Sequence, residues 1–131
     1  MTIRRVISPA VAEPPPERWS NCLVVDGVAY VSGMTARSGT TVSGNDEYEQ
    51  AKVIFGKIKS LLEAAGGAMS DVVKITVFVT EIANNIKVWA ARREFFTGDF
   101  PASTLVEVSA LAAPEILVEI EAVAHLGKGK R

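Results

Sequence analysis

The chain has 131 residues, of which 48% are hydrophobic and 22% charged, and its formal net charge is −1. This balance suits one globular domain over 1–131 with a buried core and excludes a disordered chain. It supplies no concentrated Lys/Arg footprint for a nucleic-acid surface, since the one basic run, Lys128-Gly-Lys130-Arg131, reads as a solvated terminus.

One cysteine, Cys22, and one histidine, His125, exclude an internal disulfide and a zinc framework. Cys22 reads as a small buried hydrophobe, and His125 as a strand-end residue with no partner in view. No metal or cofactor is expected. The N-terminal residues lack an apolar run of signal-peptide length and nothing elsewhere is long enough to span a bilayer, so the expectation is a cytoplasmic protein with no membrane partner.

In chain order, 3–7 reads as a short edge strand. The run 8–17 holds four prolines, which remove backbone donors and exclude a helix or central strand. The runs 23–25 and 28–32 flank Asp26-Gly27, a two-residue hairpin signal. Rich in Gly, Ser and Thr, 33–44 reads as a loop with room for one short strand. Asn45-Asp46 offers a helix cap. Behind it Ala51, Ile54, Phe55, Ile58, Leu61, Leu62 and Ala65 recur at steps of three and four, one apolar stripe over four turns that Gly66-Gly67 ends. The β-branched run 72–80 predicts a central strand with Val73, Ile75, Val77 and Val79 on one face. A second helix is predicted from Asn84 or Asn85 to about Phe96, with Ile86, Trp89, Ala90 and Phe96 apolar.

Two strand-like runs joined by a short Ala/Pro connection fill 100–125. In the second, side-chain alternation puts Val118, Ile120, Ala122 and Ala124 on a core-facing side and Leu117, Glu119, Glu121, Val123 and His125 on the other. The order hairpin, helix, strand, helix, strand, strand predicts an α+β fold: a single mixed sheet with two helices on one face. Val72, Phe78, Leu105 and Val123 are expected on the helix-free face. An apolar sheet face without helices predicts association into a homo-oligomer.

Val28-Ala-Tyr-Val-Ser-Gly33, Leu62-Glu-Ala-Ala-Gly-Gly67, Asp71-Val-Val-Lys-Ile-Thr-Val-Phe-Val79, Phe95-Phe96, Phe100-Pro101-Ala102 and Val118-Glu-Ile-Glu-Ala-Val-Ala124 together resemble the Rid family of reactive-intermediate imine deaminases, also called YjgF or L-PSP-like proteins. The resemblance runs from about Trp19 to Ala124. It implies a chorismate-mutase-like fold, a homotrimer, and small-molecule clefts between subunits.

Carried over residue by residue, it implies Glu119 as the carboxylate that orients water, Ser32 as the retained hairpin serine, Trp19 at a cleft-loop tyrosine position and Trp89 at an asparagine position. Leu105 stands two residues past the position of the substrate-binding arginine, with backbone groups still able to contact a substrate. That arginine position is Ser103, whose short neutral hydroxyl cannot form a bidentate pair with a carboxylate.

Alternatives stay open at each residue. Glu119 reads as a general acid/base or as an inter-subunit hydrogen-bonding group, Glu121 as structural, and the tryptophans as ligand contacts or subunit-seam packing. Arg92 and Arg93 are either solvated or reach the cleft. The functional expectation is metal-free hydrolysis of an imine or enamine other than a small 2-imino acid. The alternative is a trimeric binding protein without turnover, and an endoribonuclease ranks last.

Overall fold

Asp26 and Gly27 have φ of 51° and 77°. Left-handed backbone at both central positions makes the type I′ turn whose twist matches a hairpin. It joins β2 (Cys22–Val25) to β3 (Val28–Met34), with β1 (Arg4–Val6) on the outer edge of β2. In the computed structural model, which describes residues 2–129, these strands continue into a six-stranded sheet. The later members are β6 (Val72–Val79), β7 (Ala102–Glu107) and β8 (Val118–His125), and the strand order is β1-β2-β3-β8-β6-β7. Only β6 and β7 pair in parallel, so the sheet is mixed. Lys130 and Arg131, the end of the basic tail, lie outside the described residues.

Helix α1 (Glu47–Ala64) starts where Asp46 accepts from the Glu49 N–H at 2.9 Å, meeting one of the orphan donors of the first turn. It ends at Gly66, φ 93°, with Gly67 N–H donating to the Leu62 carbonyl and Gly66 N–H to that of Glu63, the paired bonds of a Schellman cap. All seven residues of the expected stripe are buried. Each large one contributes about 1.5–3 kcal/mol by leaving water. They rest on Ala29, Val31, Ile75, Val77, Val79, Ile120, Ala122 and Ala124 of the sheet.

Helix α2 (Asn85–Arg92) packs on α1, with Val88 and Ala91 buried and Asn84 Nδ2 donating to Glu47 Oε2 at 2.9 Å. It is shorter than the sequence predicts, and its outward side carries Ile86 and Trp89. The chain tightens after Arg92, where Glu94 and Phe95 N–H groups reach the carbonyls three residues back. In that turn Phe95 and Phe96 both pack on Phe55, ring centroids 5.4 and 5.7 Å away.

Three further expectations change. In β6 the register against β8 slips between Val72 and Lys74, so Val72 is buried and Val73 is 44% exposed; beyond this bulge Ile75, Val77 and Val79 face the helices as expected. Leu105 pairs with Val77 across a parallel ladder, where partners share a face. It therefore packs on the core side rather than on the open side. The segment after Gly33 forms a two-stranded ribbon, β4 (Arg37–Ser38) with β5 (Thr41–Val42). Tyr30, Thr76, Phe78, Glu121 and Val123 make the face that no helix covers among the described residues. No helix there is long and apolar enough to cross a membrane.

Candidate functional site

The site begins with an extra residue in β3. Between Val31 and Met34 the partner on β8 moves only from Ala122 to Ile120, so Ser32 and Gly33 share the space opposite Glu121. Such a bulge bends the strand and re-aims its side chains. Here it brings Gly33 under Glu119, close enough that a Cβ on Gly33 would lie 2.1 Å from Glu119 Oε2. Ser32 is tied down by its N–H (2.9 Å) and its hydroxyl (3.2 Å), both donating to the Asn21 carbonyl.

Asn21 also organises the loop in front. Its Oδ1 accepts from Trp19 Nε1 at 3.3 Å, and its Nδ2 donates to the Ala12 carbonyl and to Glu13 Oε2. Glu13 is fixed in turn by Arg5 at 2.6 Å. The proline-rich loop thus folds back over the end of the sheet and encloses a cleft of about 800 Å³ lined by Trp19, Ser32, Gly33, Glu119, Arg18 and Lys57, among others. Lys57 reaches it from α1 and donates to the carbonyls of Thr35 (2.8 Å) and Arg37 (2.7 Å), holding the loop of the far wall; burial lowers its pKa.

Glu119 is half-buried. Loss of hydration, and secondarily the like charge of Glu121, raise its pKa above the ordinary carboxylate value. A carboxyl held this way can take and return a proton closer to neutral pH. Gln50, a buried side chain of α1, accepts from Leu117 N–H at 2.9 Å and donates to the Glu115 carbonyl at 2.8 Å, anchoring the entry to β8 two residues before Glu119.

Of the sequence candidates, Trp19, Ser32 and Glu119 meet in this cleft. Trp89, Ser103 and Leu105 do not line it. Ser103 pairs with Ile75 on the helix side of edge strand β7, where it accepts from Arg92 Nη1 at 2.9 Å. Trp89 points outward from α2, and the Leu105 side chain packs on the core.

Sequence reasoning did not single out Gly33, Asn21, Lys57 or Gln50. Lys57 had a signal, three residues after Ile54 and four before Leu61, so that a cation borders the apolar stripe. Gln50 had one too, directly beside Ala51 at the stripe's start.

The fold and cleft define an α+β protein with a small-molecule-sized pocket at one end of a mixed sheet. Residues 10–126 match the family model described as Endoribonuclease L-PSP, and the chain belongs to this family, the YjgF/Rid group. It is similar to protein PA3499 from Pseudomonas aeruginosa (44% identity, 98% of this chain and 95% of that one, TM-score 0.88). It is also similar to Rv2704 from Mycobacterium tuberculosis, a member of the YjgF/YER057c/UK114 family (32%, 82% and 86%, TM-score 0.75). YyfA from Yersinia pestis, of the conserved Rid protein family, matches at 31% identity over 95% of this chain and 100% of that one, with a TM-score of 0.85.

Proposed function

We propose that the chain forms a homotrimer whose inter-subunit clefts hydrolyse an imine or enamine, with Glu119 as the acid/base. The observation that carries this is the half-buried Glu119 carboxyl with its raised pKa, seated on Gly33 in a cleft that also holds Ser32 and Trp19. In the reaction the carboxylate takes a proton from water as its oxygen bonds to the C=N carbon. Returned to nitrogen, that proton completes the carbinolamine; the carboxylate then carries the carbinolamine hydroxyl proton to nitrogen as the C–N bond breaks, which gives the carbonyl product and ammonia.

Trp19, Ser32 and Glu119 form one half of the proposed site. Trp89, Ser103 and the Leu105 backbone, at the β7 edge, form the half supplied by a neighbouring subunit. The helix-free face and the exposed Tyr30 and Val106 supply surface for that assembly. Two exposed indoles suit a substrate bulkier and more apolar than a small 2-imino acid. The Glu119 carboxyl on the cleft wall supports a carboxylate-assisted hydrolysis ahead of RNA cleavage.

The test is ammonia release from imines formed in situ by an amino-acid oxidase, comparing wild type with Glu119→Ala, alongside a sedimentation measurement of mass. Acceleration by wild type alone, from a species three times the chain mass, supports the proposal. No acceleration across small, aromatic and carboxylate-free imines removes it. If binding without turnover is the whole function, ligand will quench Trp19 or Trp89 fluorescence with no ammonia released.

A further inference from the structure

The loop that joins β7 to β8 borders two cavities. One is the cleft that holds Glu119 and Trp19. The other, about 360 Å³, lies at the end of β6 and is lined by Thr80, Ser109, Leu111, Pro114 and three alanines. Ala112 and Ile116 line both. Ile116 is buried and Ala112 is exposed, so the open part of the partition is one methyl group. The loop is fixed at its ends. Val108 N–H donates to the Val79 carbonyl at 2.8 Å, Ile116 N–H to that of Ala113 at 3.0 Å, and Gln50 Nε2 to that of Glu115 at 2.8 Å. Between these anchors no hydrogen bond among the described residues ties 109–112, and a segment held so lightly yields to a ligand at small cost.

We propose that the smaller cavity extends the cleft and receives the apolar tail of the cleft's ligand, an alkyl chain that passes over Ala112 to lie against Leu111 and Pro114. Its volume is at the low end for a ligand site of its own, which suits an annex better than a second site. No charged side chain lines it, and its only side-chain polar groups are the hydroxyls of Thr80 and Ser109. A charged tail would lose its hydration there and gain no ionic partner. An alkyl tail gains about fourfold in affinity for each methylene that leaves water. The class of ligand is therefore a carbonyl or imine compound with an extended apolar chain, rather than a compact one. A small residue at 112 keeps the passage open, and a large one would fill it. That this ligand is the substrate Glu119 works on rests on the reading above; the extension itself does not.

The probes are straight-chain amides from butanamide to octanamide, neutral carbonyl compounds that differ only in tail length. Binding is followed by tryptophan fluorescence and by the rise of Tm with ligand concentration. In wild type, affinity should climb about fourfold per added methylene over the longer members. Ala112→Phe, which fills the passage, should cut that slope below about twofold per methylene. Leu111→Ser, on a wall that belongs to the smaller cavity alone, should flatten it as well. Both positions lie in the loop outside the buried core, and if one variant fails to fold the other carries the test. Ile3→Ser removes an exposed apolar side chain far from either cavity and should keep the slope, which excludes general adsorption of alkyl chains. Glu119→Gln should lose turnover and keep the slope, so failure of the catalytic reading and failure of this one are told apart. An affinity independent of tail length in wild type overturns the proposal. So does the wild-type slope in folded Ala112→Phe and Leu111→Ser, or a slope that Ile3→Ser abolishes equally.

Discussion

Glu119 rests on Gly33 so closely that no side chain fits between them: a Cβ there would stand 2.1 Å from Oε2 and 2.8 Å from Cδ. The contact exists because the bulge in β3 turns the glycine toward the first residues of β8. Gly33→Ala must therefore push the carboxyl off its seat. Glu119 is the flexible end of a half-exposed side chain, so the expected loss of stability is modest, about 1 kcal/mol or less. The expected loss of turnover is about tenfold or more, since about 1 Å of misplacement is costly to a positioned catalytic group. Calorimetry and ammonia release on the same preparation check both halves; an unchanged rate refutes the positional role.

Gln50 should matter for stability and for the site together. Its side-chain carbonyl accepts from Leu117 N–H, and its amide donates to the carbonyls of Glu115 and Gly44. Gln50→Ala leaves these backbone groups unmet in a buried place, at about 1–3 kcal/mol for each that water does not reach. Urea unfolding should show a loss of about 2–4 kcal/mol, and hydrogen exchange should show earlier opening at Leu117. A variant as stable as wild type contradicts the anchoring role.

The raised pKa of Glu119 has a definite consequence for stability. Folded protein keeps this proton to a higher pH than the unfolded chain does, so between the two pKa values the native state binds more protons. Stability must then fall as pH rises through that window, and the effect vanishes below the ordinary carboxylate range. Glu119→Gln removes this contribution. Relative to wild type, the variant should gain stability as pH rises from acid toward neutral, with equal slopes at the acid end. Urea unfolding across that range checks it, and parallel curves throughout rule out the desolvated carboxyl.

The core depends on Phe55, fully buried and packed against Phe95 and Phe96. Phe55→Ala should cost about 3–5 kcal/mol. It should also loosen the turn after Arg92, because both rings that hold that turn lose their platform. Thermal unfolding measures the first effect, and exchange at the amides of Glu94 and Phe95 the second. A loss under about 1 kcal/mol indicates a site that collapses without strain.

Much of this architecture was legible in the residues. The stripe from Ala51 to Ala65, the Asp26-Gly27 turn and the alternation of β8 each follow from local periodicity and turn chemistry, and each forms as expected. What was not legible depends on contacts remote in sequence. The side on which Leu105 lies is set by its register with Val77, and a one-residue bulge at Val73 moves Val72 into the core. Helix α2 ends early, at a turn in which Phe95 and Phe96 both pack on Phe55 some forty residues away in the chain. Glu119 was visible as an acid among apolar neighbours, but its seat on Gly33 required knowing that β3 bulges beside β8. The Arg92–Ser103 contact joins a helix to a strand, and nothing in the residue spacing announces it.

The central claim is that the Glu119 carboxyl performs acid/base work on a C=N bond. The most direct measurement is the decay rate of an aromatic imine, generated in situ by an amino-acid oxidase, in the presence of wild type and of Glu119→Gln. The glutamine keeps the shape over Gly33 and removes only the proton-transferring group. Wild type should accelerate decay, and the variant should lose about 10²- to 10⁴-fold of that acceleration while remaining folded and retaining its ligand affinity. Equal acceleration by both proteins would contradict the claim.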